Sequence, residues 1–132
     1  MKAWLGSEHF VVFPNEMGAG AHLVESLSSR GCNLIGIVGY TMGPGEAVMH
    51  LCADDPELLA SAIESSGHSS QRSEVLMVEL DNTPGSLASA LKRTSDAGVD
   101  VVHCYASALS GSQCLLVMRT SDNSKALSVL SS

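Results

Sequence analysis

An internal repeat with a constant offset of 67 residues constrains the fold of this chain more than any other feature. Gly85 stands 67 positions after Gly18, and Gly98 stands 67 positions after Gly31. The same offset, without a gap, relates Val11 to Val78, Asn15 to Asn82, Ala21 to Ala88 and Asp55 to Asp122. Helix-capping residues, turn glycines and apolar positions of the first half thus align with residues of the same kind in the second half. This alignment indicates a duplicated unit. We therefore expect two copies of one small structure.

The first copy has the element order strand, helix, strand, strand, helix. Apolar spacing and turn residues define each element. Asp55 is a suitable cap for the second helix, Pro56 suits its first position, and Gly67 can end it. The predicted elements are a strand at 9–13, a helix at 17–30, strands at 34–42 and 47–53, and a helix after Asp55.

The second copy repeats this order. Asn82 or Thr83 would cap its first helix, Pro84 would occupy the first helical position, and Gly98 would follow the last. The predicted elements are a strand at 75–80, that helix, strands at 99–109 and 113–120, and a helix capped by Ser121–Asp122.

Each copy needs one more strand to complete a split βαβ arrangement. Residues 68–73 can supply it to the first copy, whereas nothing comparable follows the last helix of the second. The offset maps residues 2–6 onto 69–73, so we expect Lys2–Leu5 to form the missing edge strand of the second copy. The predicted domains are residues 1–73 and 74–132, with residues 2–6 assigned to the second as that strand.

Composition and charge narrow the classes of partner. The 132 residues include 7 Lys and Arg against 14 Asp and Glu, a formal net charge of −7, and no basic cluster. This balance argues against a nucleic-acid or anionic membrane surface as a partner. No segment approaches the roughly 20 apolar residues of a membrane span, and the amino terminus lacks a signal-peptide pattern. We expect a cytoplasmic protein.

The cysteines give no sign of disulfides or a metal centre. They form no C-x-x-C pair, and three lie inside apolar runs, so we expect buried thiols. A metal site built from His103, Cys104 and Cys114 is disfavoured, because adjacent residues of a strand face opposite sides. We predict no metal.

The sequence also lacks a recognisable catalytic grouping. No G-x-S-x-G motif occurs, and the serines concentrate in turns and helix ends. Four histidines, His9, His22, His50 and His68, have no evident partner. We predict no enzymatic activity and no cofactor.

Residues 75–100 contain the clearest candidate site. An apolar strand leads through a polar turn into a helix, whose first amide groups would be exposed. Such a helix end favours an anion, a carboxylate included, by ~0.3–1 kcal/mol. Gly85 would let a ligand approach the backbone. The alternative is that Pro84 and Gly85 form only a strand-to-helix turn.

Two segments carry a resemblance to a known family. Asp81-Asn82-Thr83-Pro84-Gly85-Ser86-Leu87-Ala88 resembles the ligand loop of ACT domains, and Ala97-Gly98-Val99-Asp100 is similar to their recurring Ala-Gly-Ile/Val-Asn element. Through the repeat, the resemblance covers about residues 8–131. It is greatest to the small tandem ACT proteins without a catalytic domain. The resemblance implies an α+β protein of two ferredoxin-like βαββαβ units with antiparallel sheets, side-by-side pairing and amino-acid binding.

The resemblance also implies a ligand position, between the loop of one unit and the second strand of its neighbour. The backbone amides of the loop would bind a carboxylate, and Asp100 would accept a hydrogen bond from an ammonium group. Asp100 could equally serve only to shape the chain after Gly98. The implied loop residues are Asp81, Asn82, Thr83, Pro84, Gly85, Ser86 and Leu87.

The first copy departs from this pattern. Asn15 and Gly18 are kept, but Met17 and Gly20 replace the Pro and Leu, and Glu16 would repel a carboxylate. This loop is either degenerate or reshaped for another ligand or partner. Asn33 keeps the family Asn that the second copy has changed to Asp100, so a composite site from one loop and the other unit's strand is a further expectation.

Two functions remain open from the sequence. The first is a non-catalytic regulatory protein that binds an amino acid or a similar small carboxylate. The second is a structural or regulatory adaptor that pairs with itself or another protein without a small ligand. The sequence does not decide between a monomer and a homodimer.

Overall fold

The computed structural model describes residues 1–131, and the chain divides into two compact units. The first unit is Ser7–Ser73, and the second combines Met1–Gly6 with the chain from Glu74 onward. The prediction of two α+β units is confirmed. The assignment of residues 1–73 and 74–132 as the two domains stays a prediction.

The first unit has the element order βαββαβ. Its strands lie in the order β2-β3-β1-β4, with β3 antiparallel to both β1 and β2. Its elements are β1 (Lys2–Pro14), α1 (Ala19–Ser29), β2 (Leu34–Thr41), β3 (Glu46–Ala53), α2 (Pro56–Ser65) and the start of β4 (Ser70–Asp81).

The second unit uses the remainder of β4 and the start of β1, so both long strands contribute to both units. Its strand order is β1-β4-β6-β5, and β6 is antiparallel to β4 and β5. Residues 2–6 therefore lie beside β4 in this unit. The further elements are α3 (Ser86–Asp96), β5 (Val101–Ser107), β6 (Gln113–Thr120) and α4 (Asn123–Leu130).

Each unit packs its two helices on one face of its sheet. In the first unit, Leu27 of α1 and Ile63 of α2 lie in one cluster with Val11 of β1. In the second unit, Ala90 of α3 and Leu130 of α4 cluster with Val78 of β4. Alternate strand residues point to this face, as the period of a strand requires. Burial of aliphatic side chains thus holds each unit together with few aromatic residues.

The equivalent helices α2 and α4 begin with the predicted caps. The Asp55 side chain accepts a hydrogen bond from the Leu58 amide at 3.1 Å, and Asp122 accepts one from the Lys125 amide at 3.0 Å. These bonds satisfy donors that a helix start leaves without a helical partner.

Among the described residues, no helix combines the length and hydrophobicity that crossing a membrane would require.

The cysteines only partly match their predicted burial. Cys52 is buried, Cys32 and Cys114 are half-buried, and Cys104 is exposed. The expectation for Cys104 is wrong, because this residue lies on β5, the outer strand of its unit, which has a neighbouring strand on one side only. Burial raises the pKa of the Cys32 thiol, and the charges of Asp55 and Asp54 raise it further.

Candidate functional site

The second-unit loop connects β4 to α3 through a left-handed glycine. Gly85 has φ 93° and occupies the position before the first helical residue, Ser86. This conformation favours glycine because a side chain there would crowd the backbone. The helix therefore starts later than predicted, and Pro84 lies outside it rather than at its first position.

The predicted side-chain cap of α3 is wrong. The Asn82 side-chain amide donates to the Gly111 carbonyl oxygen at 3.1 Å, and the Thr83 and Ser86 hydroxyl groups share a hydrogen bond of 2.9 Å. Neither side chain thus satisfies a helix-start amide. Among residues 1–131, no acceptor lies on the amides of Leu87 and Ala88. These two donors remain available at the positive end of the helix dipole.

A cavity of about 340 Å³ lies against this loop, and we call it the second-unit cavity. Asp81 lines it, and the Oδ1 of this residue accepts a hydrogen bond from Gln113 Nε2 at 2.9 Å. The start of α3 lines it as well. A carboxylate and a helix N-terminus in one cavity match the two charges of a zwitterion. The lining residues are Met1, Leu80, Asp81, Pro84, Gly85, Ser86 and Ser89.

The first unit repeats this construction at its own loop. Gly18 has φ 83° and precedes the first residue of α1, Ala19, so the same left-handed turn begins the helix. A cavity of about 390 Å³, the first-unit cavity, lies against it. Its lining residues are Phe13, Pro14, Glu16, Met17, Gly18, Ala19, His22 and His68.

The repeat offset relates the two cavities residue by residue. Every lining residue of the second-unit cavity stands 67 positions from a lining residue of the first-unit cavity. The pairing includes His68, which stands 67 positions after Met1. The shape is thus duplicated, whereas the chemistry differs. Pro14 replaces the carboxylate of Asp81, and His22 replaces Ser89.

The predicted site residues divide into two groups. Asp81, Pro84, Gly85 and Ser86 line the second-unit cavity, and Gly18 lines the first-unit cavity. The other predicted residues lie outside these linings: Asn82, Thr83, Leu87 and Asp100 in the second unit, and Asn15 and Asn33 in the first. Their part in ligand binding stays a prediction.

Asn15 and Asn82 have an equivalent structural role. The backbone amide of Asn15 donates to the Gly45 carbonyl at 3.1 Å, and that of Asn82 donates to the Ser112 carbonyl at 2.9 Å. Gly45 and Ser112 are themselves 67 positions apart, in the hairpin turns. Each bond fixes the start of a loop against the neighbouring hairpin.

Asn33 and Asp100 likewise share a backbone role. The Asn33 carbonyl accepts from the Asp54 amide at 3.2 Å, and the Asp100 carbonyl accepts from the Ser121 amide at 2.9 Å. In the first unit, the Asn33 side chain also donates to Asp54 at 3.2 Å. These bonds join the start of a strand to the cap region of the following helix.

Gly20 has a packing role that the sequence did not reveal. A Cβ added to Gly20 would lie 2.8 Å from Cε of Met49. The glycine in the first turn of α1 thus gives Met49 of β3 room to lie beneath the helix.

A buried hydrogen-bonded group on β1, β2 and β3 was also missed. His50 Nδ1 lies 2.9 Å from Glu8 Oε1, and His50 Nε2 lies 2.9 Å from the Tyr40 hydroxyl. Glu8 and His50 are buried, so the expectation that His50 lacks a partner is wrong. Strand alternation could have found the group, since His50 and Leu51 must point to opposite faces of the sheet.

Comparison with known proteins identifies one matching family. The family model described as an ACT domain pair matches residues 45–131. No curated protein matches the chain.

Similar solved structures extend over nearly the whole chain. Protein BT0572 from Bacteroides thetaiotaomicron has a TM-score of 0.87 and 22% identity, covering 97% of this chain and 88% of that one. The ligand-free regulatory subunit of aspartate kinase from Thermus thermophilus has a TM-score of 0.69 and 16% identity, with 98% and 95% covered. The corresponding subunit from Thermus flavus has a TM-score of 0.62 and 15% identity, again with 98% and 95% covered. At these identities, the likeness establishes the fold.

Proposed function

Because this chain belongs to the ACT domain pair family, we propose that it is a non-catalytic regulatory protein that binds an amino acid in its second-unit cavity. One observation carries the proposal. Asp81 and the start of α3 line the same cavity of about 340 Å³. A volume of this order is typical of small-molecule sites.

The two ends of an amino acid would bind different parts of this cavity. The ligand carboxylate would lie against Gly85 and Ser86 at the start of α3, where the helix dipole favours negative charge. The ligand ammonium group would donate to the Asp81 carboxylate, which Gln113 already orients. Charge-assisted hydrogen bonds of this kind are stronger than neutral ones.

The first-unit cavity supports a difference in ligand preference. Glu16 lines it near the start of α1, and Pro14 stands where the second unit has Asp81. The carboxylate of an amino acid bound there would lie near the Glu16 carboxylate at the helix start. Its ammonium group would have no carboxylate in the position that Asp81 occupies in the second unit. We therefore assign the amino acid to the second unit. The cytoplasmic location remains a prediction of the sequence.

A thermal-shift screen of the twenty amino acids tests this proposal. At least one should raise the melting temperature in a saturable manner, because a ligand that binds only the folded state stabilises it. Asp81→Asn should remove most of that rise. Asp96→Asn is the matched control, since Asp96 lies at the other end of α3 and bonds to Lys92 on the surface. The absence of any shift, or an equal loss in both variants, would reject the proposal.

A second candidate function is an adaptor that pairs through β2. This strand is the outer strand of the first unit, and Ile35, Ile37, Tyr40 and Met42 on or beside it are each more than two-fifths exposed. A strand with exposed apolar side chains and unpaired backbone groups favours association.

Light scattering separates this candidate from a purely ligand-binding monomer. The adaptor function predicts a dimer that Ile37→Lys dissociates, because the new charge would be buried at the pairing strand. Leu109→Lys serves as the control, since Leu109 is fully exposed in the turn between β5 and β6 of the second unit. A monomer at all concentrations, together with no partner in pull-downs, would contradict pairing.

A further inference from the structure

His9 is a buried histidine whose ring nitrogens have no hydrogen-bond partner within residues 1–131. It is 1% exposed and lies on the same side of β1 as Val11 and Phe13, which belong to the helix-covered core. Neither Nδ1 nor Nε2 reaches a donor or acceptor among the described residues. Buried polar groups in folded proteins almost always have a hydrogen-bond partner. We therefore expect a bound molecule to supply the hydrogen-bond partner of the His9 ring.

The second repeat shows that the fold does not need a histidine here. Leu76 stands 67 positions after His9 and is completely buried in the core of the second unit. A leucine thus fills the equivalent place without polar atoms. Because an unsatisfied buried imidazole disfavours folding, packing alone gives no reason for a histidine at position 9.

A cavity lies beside His9, and we call it the His9 cavity. It has a volume of about 380 Å³ and is formed by β1, α2 and the segment that leads into β4. His68 lines it as well, and its buried Nδ1 has no hydrogen-bond partner in the part of the chain that the structure describes. The lining residues are His9, Ala60, Glu64, His68, Ser69, Ser70 and Arg72.

The equivalent positions of the second unit are more apolar. Leu127 corresponds to Ala60 and packs against the second-unit core, and Leu5 corresponds to Arg72. The first unit has thus exchanged leucines for a small residue and a cation around His9. These changes enlarge the space and supply hydrogen-bonding groups together, which a change in packing alone does not explain.

The chemistry of the lining favours a ligand that both donates and accepts hydrogen bonds. Burial lowers the pKa of His9, and the nearby Arg72 charge lowers it further against the opposing effect of Glu57. The imidazole is therefore neutral near pH 7, with one nitrogen as donor and the other as acceptor. A simple anion would give the acceptor nitrogen no hydrogen-bond donor. A simple cation would give the donor nitrogen no hydrogen-bond acceptor.

Hydroxyl groups meet both requirements. We propose that the His9 cavity binds a small neutral polyhydroxyl molecule, about the size of a monosaccharide, through His9, Ser69, Ser70 and the charged groups of Arg72 and Glu64. The Arg72 guanidinium bonds to Glu57 and to the Ser7 hydroxyl, which hold it at the cavity. This site is separate from the second-unit cavity and does not depend on amino-acid binding there.

The test observes the His9 ring directly. The imidazole nitrogens of the full chain are followed by NMR while glycerol, D-ribose, D-glucose and myo-inositol are added singly to millimolar concentrations. Acetate and methylammonium are the charged comparison compounds. His68 is not used as the reporter, because it lines the first-unit cavity too.

Three variants make the test specific. His9→Leu copies the second unit and should abolish the response, whereas His9→Gln keeps a donor and an acceptor and should retain a weaker one. Ser61→Ala, on the outer side of α2, should respond like the wild type, since Ser61 bonds only within its helix.

We expect saturable movement of both His9 nitrogen signals with at least one polyhydroxyl probe and a loss of at least tenfold in affinity in His9→Leu. Equal affinity in His9→Leu would place binding elsewhere and overturn the proposal. A response to acetate or methylammonium alone would overturn the ligand class. No response to any probe, with only ordered water at His9 in a crystal soaked in the same compounds, would overturn the site itself.

Discussion

Replacement of Gly85 by alanine isolates the backbone conformation on which the second-unit cavity depends. An added Cβ at Gly85 would meet no atom within 4 Å, so the substitution introduces no steric clash with other residues. The residue nevertheless has φ 93°. A non-glycine residue in the left-handed region costs about 1–2 kcal/mol. We therefore expect Gly85→Ala to lower the free energy of unfolding by about 1–2 kcal/mol.

The chain offers a matched control in Gly45. A Cβ there would also meet nothing within 4 Å, but Gly45 does not have a positive φ. Alanine at such a position restricts the unfolded chain and is expected to stabilise by about 0.4–1 kcal/mol. Gly18→Ala should behave like Gly85→Ala, because Gly18 has φ 83° and equally open surroundings.

Urea unfolding of the four proteins, monitored by circular dichroism, measures these differences. The midpoints should fall for Gly85→Ala and Gly18→Ala and should stay or rise for Gly45→Ala, with similar slopes throughout. Equal midpoints for Gly85→Ala and Gly45→Ala would refute the reasoning, since the left-handed turn would then not constrain the loop.

Three further predictions concern other parts of the structure. Asp55→Ala and Asp122→Ala should each cost about 1 kcal/mol in urea unfolding through loss of a helix cap, and a double variant with a cost well below the sum would contradict independent caps. Maleimide labelling followed by mass spectrometry should modify the exposed Cys104 before Cys32, whose raised pKa keeps its thiol protonated; the opposite order would contradict this. Because the folded pKa of His9 lies below its ordinary value of 6.5, the unfolded chain takes up that proton first. The free energy of unfolding should therefore fall as the pH drops below about 6.5, and it should fall more in the wild type than in His9→Gln. Parallel pH profiles of the two proteins would count against a buried neutral imidazole.

Much of the fold could be predicted because the repeat in the sequence indicates the same order of elements in both units. The offset of 67 residues placed the helix caps Asp55 and Asp122 correctly, and both make the expected bonds. It also related residues 2–6 to residues 69–73, and the former lie beside β4 in the second unit. Such features depend on local propensity and periodicity, which are visible in the sequence.

The start of α3 was harder to predict. Pro84 is common at a first helical position, yet here the helix begins at Ser86, after a left-handed glycine. Asn82 is a good cap by residue type, but its side chain bonds to Gly111 in a distant turn. The competing partner is brought close only by the pairing of β4 with β6, and periodicity does not contain that information.

The composition of the cavities was predicted only in part. Asp81 and Gly85 were expected near a ligand from the loop pattern, and both line the second-unit cavity. Met1 and His68, which line equivalent cavities, lie far from either loop in sequence. The offset between them is visible in the sequence, but their approach to the loops depends on the final strand of each unit.

An NMR titration of the backbone amides most directly tests the claim that the second-unit cavity binds an amino acid. The amino acid that gives the largest thermal shift is added to the ¹⁵N-labelled chain, and to the Asp81→Asn and Asp96→Asn variants. We predict saturable changes in the amide signals of Gly85 and Ser86, which line the cavity, at least tenfold weaker affinity in Asp81→Asn and unchanged affinity in Asp96→Asn. Saturable binding that leaves these amides unchanged, or binding that Asp81→Asn does not weaken, would contradict the claim.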